Sequence, residues 1–188
     1  MRNHLTRRTV AIVAAGGFGA ALIMAGTAHA ITDTIFKYSA PKTGYYALDP
    51  IAFAPSQSSN TYVIGDVPDA LYDTNGLNSC FGTGVNLPQG ATMTAFAAWY
   101  GSDTTGNVNV WLGRNKLGDG TFDYVAKLAS TDTTKTRRAM NMRIPASSVA
   151  TVDNARYSYH VGVCFGTSGA NSRFYGGRIA YTYTNAGD

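Results

Sequence analysis

The sequence predicts an all-β protein built as a two-sheet antiparallel β-sandwich, and three observations predict it. The chain holds twelve tyrosines and two tryptophans but no glutamate, so β-formers outnumber strong helix formers. Short alternating segments recur between Gly, Asn, Asp and Pro turns. About eight to ten such segments fit two packed sheets in one domain. A jelly roll is the expected architecture, and an immunoglobulin-like Greek key is the alternative.

The first thirty residues predict an export signal. Arg2, Arg7 and Arg8 form a positive start, an apolar stretch follows, and residues 28–30 (Ala-His-Ala) have the form of a cleavage site. Paired arginines are also typical of a twin-arginine signal, and an ordinary secretory signal is the alternative that we favour. Cleavage would leave residues 31–188 as a single secreted domain.

Loss of this segment changes the charge balance. Three of the fifteen basic residues and none of the eleven acidic ones precede residue 31, which leaves 12 basic against 11 acidic residues. A nearly neutral chain gives no reason to expect nucleic acid or an anionic membrane as a partner. The most basic stretch, residues 135–143, is interpreted as a solvated loop that leads into a strand.

The region before residue 77 contains few alternating segments. Residues 45–53 predict a strand broken by Pro50, and residues 61–64 predict a short strand. Residues 65–76 are rich in Gly, Asp and Asn and are predicted to form a long loop.

Two cysteines, Cys80 and Cys164, each end a strand-like run and are each followed by Phe-Gly-Thr. An even pair in an exported chain predicts one disulfide. Antiparallel neighbours at a pair site without hydrogen bonds would give the short Cα separation that a disulfide needs. A reactive or metal-binding thiol pair is the alternative.

Two strands are predicted between residues 92 and 112. Both alternating sets from Met93 to Trp99 are largely apolar, which predicts a strand covered on both sides. Val108, Val110 and Leu112 alternate with polar neighbours and Trp111, which predicts one wet face.

The later strands follow a turn at residues 118–120, and Pro145 ends one of them. The side chains expected to share a face are, in chain order: Phe122, Tyr124, Ala126 and Leu128; Met140, Met142 and Ile144; Tyr157, Tyr159, Val161, Val163 and Phe165; and Tyr175, Ile179, Tyr181 and Tyr183.

Three segments carry a family resemblance: residues 87–94 (LPQGATMT), 150–155 (ATVDNA) and 174–184 (FYGGRIAYTYT). With its LP-x-GA-T strand entry and FYG-x-RI-x-YTYT closing strand, the chain resembles uncharacterised secreted bacterial β-sandwich proteins that are common in actinobacteria. The resemblance covers roughly residues 79–188. It implies the fold and secretion, and it supplies no catalytic motif for positions in this chain.

The residues predict a protein without catalytic activity. His160 is the one histidine after residue 30, and it lies in a tyrosine-rich strand where a structural role is expected. No Gly-x-Ser-x-Gly motif occurs, and neither a second histidine nor a glutamate is available there for zinc. Most aspartates adjoin turn residues, which accounts for them without a glycosidase carboxylate pair.

Calcium is the one metal that the sequence suggests. Four oxygen-bearing side chains fall within ten residues, and such oxygens are the ligands that calcium prefers. The candidate ligands are Asp66, Asp69, Asp73 and Asn75. The alternative is a turn rich in Asp and Asn, because the distal glutamate of a calcium loop is missing. No other cofactor is expected.

Carbohydrate is the one ligand class that the sequence suggests. Exposed aromatic rings on a sandwich can stack against sugar rings while amide groups bond the hydroxyls. The candidates are Trp111 with Asn107, Asn109 and Asn115, and Tyr46, Tyr62 and Tyr100 as further contributors. The alternative is that Trp111 packs under a loop or in a subunit interface.

Three functions stay open on this basis. The first is a secreted, non-catalytic protein with a structural or interaction role at the cell surface or in the medium. The second is a lectin-like carbohydrate-binding module, assisted by calcium, and the third is a secreted hydrolase. A glycan or cell-surface component is the expected partner class, and tyrosine-rich strand faces would suit a homo-oligomer.

Overall fold

The fold is a sandwich of two antiparallel sheets, which confirms the predicted class. The computed structural model describes residues 36–65, 69–76, 78–104, 107–166 and 169–186, and residues 37–188 form one compact unit. The predicted export signal lies outside the described residues. The strands of the described part are β1 (Phe36–Leu48), β2 (Ala54–Pro55), β3 (Tyr62–Ile64), β4 (Leu71–Asp73), β5 (Ser79–Val85), β6 (Thr92–Gly101), β7 (Val108–Lys116), β8 (Phe122–Ala129), β9 (Arg138–Arg143), β10 (Tyr157–Phe165) and β11 (Arg173–Ala186).

The strand order is that of a jelly roll. The front sheet has the order β2-β5-β10-β7-β8, and the back sheet has the order β3-β4-β11-β6-β9, with β1 also paired to β11. From β4 to β11 the chain changes sheet at every connection except the β7–β8 hairpin. Four strands of each sheet, β4-β11-β6-β9 and β5-β10-β7-β8, therefore form the two interleaved Greek keys of a jelly roll. Two 3₁₀ turns, Pro50–Ala52 and Gly169–Asn171, complete the regular structure of the described part.

Aromatic side chains from both sheets fill the space between them. Phe81 and Phe165 of the front sheet meet at 5.9 Å between ring centroids, and Phe174 of the back sheet meets Phe53 at 5.1 Å. All four are buried, and they belong to one continuous core. The core therefore lies between the inner faces of the two sheets, and the outer faces do not take part in it.

The structure differs from the sequence predictions in the region before residue 77. Residues 65–76 were predicted to be one long loop, but Leu71–Asp73 form β4, which pairs with β3 and with β11. Its side chains are almost wholly buried. The three residues are too few to show alternation, and Asp and Asn on both sides hide the strand from a pattern search.

Strand β6 is covered on one side rather than on both, contrary to the prediction. Its inward side chains are buried, but Ala95, Ala97 and Trp99 face outward and are partly exposed. The outward set is apolar without being packed under another layer. This open apolar strip is the floor of a groove described below.

Two predicted strand faces are broken by bulges. In β8 the register shifts opposite Leu112 and Gly113, so Ala126 and Leu128 point inward while Tyr124 points outward. In β11 the extra residue Tyr175 leaves both Phe174 and Ile179 fully buried, although simple alternation placed them on opposite faces. A bulge adds one residue to a strand and reverses the alternation beyond it.

The predicted disulfide is confirmed. Cys80 of β5 and Cys164 of β10 are direct cross-strand partners with a Cα separation of 4.1 Å, and their sulfurs are bonded. The carbonyl of Cys80 accepts a hydrogen bond from the Ser56 amide on the other side of β5, at 2.9 Å. The cysteine pair therefore occupies a position without mutual hydrogen bonds, where strands approach most closely.

The described residues contain no helix long and apolar enough to cross a membrane.

Candidate functional site

The outer face of the front sheet carries several aromatic side chains, and glycines lie beside them in the same rows of the sheet. The register aligns Gly82, Gly162, Trp111 and Lys127 in one row across β5, β10, β7 and β8. The next row contains Gly84, His160, Gly113 and Tyr124. We call the surface formed by Trp111, Phe122, Tyr124, Lys127 and His160 the front surface.

Trp111 is the centre of this surface. Its ring lies 5.5 Å from that of Phe122, 6.0 Å from that of Tyr124 and 5.0 Å from that of His160. The three angles between ring planes are 83°, 90° and 88°, so none of the three rings stacks face to face on the indole. Edge-to-face contacts fix the orientation of an aromatic ring without covering both of its faces.

Two glycines allow these rings to lie against the sheet. A Cβ atom at residue 162 would lie within 2.8 Å of three carbons of the Trp111 indole, closer than real Cβ contacts occur. A Cβ at residue 113 would overlap the Phe122 ring in the same way. The indole and the phenyl ring thus occupy the space that these side chains would need.

The β8 bulge brings Tyr124 to the front surface. Because Gly113 pairs with Tyr124 and Leu112 pairs with Ala126, the extra residue Val125 lies between an outward and an inward position. Tyr124 is 49% exposed, and the ammonium group of Lys127 lies 3.4 Å from the centroid of its ring. A cation at that distance is attracted by the ring quadrupole, which fixes the tyrosine beside the indole.

A depression of about 350 Å³ adjoins Trp111, Tyr124 and Lys127. Its rim includes Asn109, which is exposed and lies one row from Trp111 on the same face. In the described part of the chain no carboxylate pairs with Lys127. The depression thus combines two ring surfaces with an amide and an ammonium group that can bond a polar ligand.

His160 is a neutral member of the surface at pH 7. It is half-buried beside Trp111 and Phe122, with ring centroids at 5.0 Å and 5.4 Å. Burial lowers the pKa of its imidazole below 6.5, because burial disfavours the charged form.

The structure places the predicted glycan-binding residues in two different settings. Asn109 and Asn115 lie on the outer face with Trp111. Asn107 is only 8% exposed, and its amide donates a hydrogen bond to the Ser172 hydroxyl at 2.7 Å. Asn107 thus joins two loops and takes no part in the front surface. Three tyrosines named as further contributors, Tyr46, Tyr62 and Tyr100, belong to strands of the back sheet.

The predicted calcium ligands are only partly brought together. Asp66 lies outside the described residues, and Asp69 is exposed on the rim of a separate depression with Asp49. Asp73 is fully buried; its Oδ1 accepts a hydrogen bond from the Asn75 amide at 2.7 Å, whereas its Oδ2 has no partner. Within the described ranges no group of three His, Cys, Asp or Glu side chains is close enough to hold a metal. The unpartnered Oδ2 is nevertheless the kind of oxygen that a hard cation would take.

A larger depression, of about 580 Å³, lies at the far end of β7. Its charged groups already have partners: Arg114 pairs with Asp123 at 3.0 Å, and Arg156 pairs with Asp153. The Arg114 guanidinium also lies 4.0 Å from the ring of Tyr157. Since these contacts hold the end of the sandwich together, this depression is a poorer candidate than the smaller one at Trp111, where Lys127 has no carboxylate partner in the described part of the chain.

Sequence reasoning identified Trp111 and the two asparagines but missed Phe122, Tyr124 and Lys127. Alternation alone places Phe122 and Tyr124 on the same face as Ala126 and Leu128, and only the bulge separates them. The signal that could have shown it is Val125-Ala126, where two small apolar residues follow each other at the change of face.

No protein-family model matches this chain, and no curated protein matches it in sequence. Among solved structures it is similar to the xylan-binding module CBM15, with 13% identity and a TM-score of 0.46 over 78% of this chain and 99% of that one. The C-terminal CBM6 of LamC from Zobellia galactanivorans has 10% identity and a TM-score of 0.46 over 72% and 98% of the two chains. A structure of infectious bursal disease virus has 14% identity and a TM-score of 0.39 over 79% and 33%. At such scores the likeness carries no argument about what this chain binds.

Proposed function

We propose that this chain is a non-catalytic carbohydrate-binding protein and that its ligand lies on the front surface. The observation that carries the proposal is the Trp111 indole, held against the backbone of Gly162 with Tyr124 at a right angle beside it. Together they frame the depression that Asn109 and Lys127 border.

The chemistry of the depression on the front surface suits a sugar ring. A pyranose offers C–H groups on its faces, which pack on the electron-rich face of an aromatic ring, and hydroxyl groups around its edge. Asn109 can donate and accept hydrogen bonds to such hydroxyls, and the Lys127 ammonium can donate them. The open, shallow form of the depression suits a polymer that runs across the sheet better than an enclosed small molecule.

A protein-binding role for the same surface is the second candidate. Leu117 is 61% exposed and Tyr124 is 49% exposed, and both lie on the β7–β8 hairpin. Exposed apolar and tyrosine side chains are common at protein interfaces. Sedimentation of the protein alone would reveal self-association, and a monomer that still binds polysaccharide would favour the glycan.

The setting that we propose for this binding is outside the cytoplasm. The predicted export signal and the Cys80–Cys164 disulfide both suit an oxidising compartment.

Retention on insoluble polysaccharides tests the proposal. The protein would be mixed with cellulose, chitin and xylan, and the bound fraction would be compared for wild type, Trp111→Ala and Trp99→Ala. Trp99 is the matched control, because it is the other tryptophan and lies on the outer face of the back sheet.

We expect wild type and Trp99→Ala to bind at least one of the three polymers equally, and Trp111→Ala to bind it at least about tenfold more weakly, as for a central aromatic anchor. Near-ultraviolet circular dichroism would establish that each variant is folded. Undiminished retention of Trp111→Ala, or no retention of wild type on any neutral polymer, would refute the proposal.

A further inference from the structure

The outer face of the back sheet carries a groove on the opposite side of the sandwich. Its floor is made of three small residues in the two central strands, and a guanidinium group stands on each side. The groove has a volume of about 320 Å³, and the residues that line it include Ala95, Ala97, Asn141, Arg143, Arg178 and Ala180. We call it the back groove.

The register explains why the groove is open. Ala97 of β6 lies between Arg178 of β11 and Asn141 of β9. In the next row, Ala95 lies between Ala180 and Arg143. Methyl groups in the middle strand leave a channel between longer side chains on either side.

Arg178 is held in place by aromatic rings. Its guanidinium carbon lies 4.9 Å from the ring centroid of Tyr45 and 5.8 Å from that of Trp99. Tyr45 is 62% exposed and Trp99 is partly exposed. Such contacts orient a guanidinium group while they leave its N–H donors free.

The charges of the groove are not neutralised. Neither Arg143 nor Arg178 forms an ion pair within the described ranges, and both are exposed. The sheet surface continues toward Arg137, whose guanidinium faces the Tyr175 ring at 5.5 Å, and toward Arg138, which pairs with Asp132 at 3.3 Å. Residues 31–188 are nearly neutral, with 12 basic against 11 acidic residues, but this face carries a local excess of positive charge.

We propose that the back groove binds the carboxylate groups of an acidic polysaccharide. A guanidinium group matches a carboxylate with two parallel hydrogen bonds, and Asn141 can bond the hydroxyls between successive carboxylates. The Cα atoms of Arg143 and Arg178 are about 12 Å apart, from two strand spacings and one row along the sheet. That separation lets one polymer offer a separate carboxylate to each arginine.

Nucleic acid is a poorer fit than an acidic glycan. Binding to nucleic acid depends on neutralising several phosphates with Lys and Arg side chains, whereas two guanidinium groups line this groove. The inference is independent of the front surface, because the two faces point away from each other and share no residue.

Binding of polygalacturonate by the full protein tests the inference, measured by affinity electrophoresis at low and at high salt. Fully methyl-esterified polygalacturonate is the matched ligand control, because it keeps the sugar chain and loses the charge. Lys116→Gln is the matched protein control, because Lys116 is an exposed cation of the front sheet that belongs to neither proposed binding surface.

We expect wild type to bind polygalacturonate but not its ester, with an affinity that falls as salt rises. The double variant Arg143→Gln/Arg178→Gln should bind at least about tenfold more weakly, whereas Lys116→Gln should bind like wild type. Arg143→Lys/Arg178→Lys keeps the charge and loses the paired hydrogen bonds, so we expect an intermediate affinity. Both arginines are exposed, so the variants should unfold at the wild-type temperature.

Equal binding of the ester, or wild-type affinity in the double glutamine variant, would overturn the inference. So would tighter, arginine-dependent binding of duplex DNA or of anionic phospholipid vesicles. The two proposals fail separately: Trp111→Ala should still bind polygalacturonate, and the double glutamine variant should still bind the neutral polymer.

Discussion

Gly162→Ala is the change that tests the front surface most directly. The backbone of Gly162 lies outside the left-handed region, so alanine is acceptable to the main chain itself. Its Cβ, however, would lie within 2.8 Å of three carbons of the Trp111 indole, where ordinary contact begins at 3.4 Å. Each of these carbons must therefore move outward by at least about 0.6 Å, the difference between 3.4 Å and 2.8 Å, and the nearer two must move further.

The indole has little room to yield, because Phe122, Tyr124 and His160 surround it with ring centroids at 5.0–6.0 Å. Overpacking of this kind costs about 1–3 kcal/mol. We expect a loss of stability in that range, measured by urea unfolding. We also expect an affinity for the retained polysaccharide that falls at least about tenfold, the equivalent of about 1.4 kcal/mol.

Gly82→Ala is the matched control, because Gly82 lies beside Gly162 in the same row. Its added Cβ would meet the Val161 carbonyl oxygen at 3.7 Å, an ordinary contact. In a Trp99→Phe background Trp111 is the single remaining tryptophan, so its fluorescence reports movement of the indole directly. If Gly162→Ala matches Gly82→Ala in stability, affinity and emission, the indole does not lie against β10 and the reasoning is refuted.

Three further predictions concern stability. Replacing Cys80 and Cys164 by alanine removes a link across a sequence separation of 84, and urea unfolding should show a loss of about 4.5 kcal/mol in the chain-entropy account; a loss below about 1 kcal/mol would contradict it. Within the described ranges no group of three His, Cys, Asp or Glu side chains is close enough to hold a metal, so millimolar calcium should shift the Tm of wild type no more than that of Asp73→Asn; a calcium-dependent rise of Tm in wild type that Asp73→Asn lacks would instead establish a calcium site at the buried Oδ2. The unfolded chain protonates His160 near pH 6.5 while the fold resists it, so the free energy of unfolding should fall from pH 7.5 to pH 5, and the fall should be smaller in His160→Gln; equal slopes would show that burial does not affect this group.

The fold was predictable because its longest strands obey alternation. In β10 the buried Tyr159, Val161, Val163 and Phe165 and the outward His160 and Cys164 follow the pattern without a break. Many short strands predicted two packed sheets and left the jelly-roll order as the first of two alternatives, and the disulfide was predicted from two cysteines at the ends of strand-like segments. These features depend on side-chain period and composition, which the sequence states directly.

The site was predictable only in part, because its geometry depends on the pairing register of the strands and on glycines, whose missing side chains leave room for aromatic rings. Val125 reverses the alternation of β8 and turns Tyr124 outward, and the only local sign of this change is that two apolar residues, Val125 and Ala126, follow each other. Gly162 acts through the Cβ that it lacks, and its effect depends on a tryptophan about fifty positions away in the chain. Asn107 is only two positions from Asn109, yet its side-chain amide donates a hydrogen bond to Ser172 in the β10–β11 connection, which holds Asn107 inside. Tertiary neighbours decide each of these cases.

The two outer faces of the sandwich lie back to back across sheets about 10 Å apart. A protein that binds a neutral polysaccharide on one face and a charged polysaccharide on the other would form a non-covalent cross-link between the two kinds of chain. Such a cross-link would raise the stiffness of a mixed gel, whereas it would not change the stiffness of a solution that contains only one of the two polymers. Rheology of a blend would therefore reveal a property that no single-ligand titration contains.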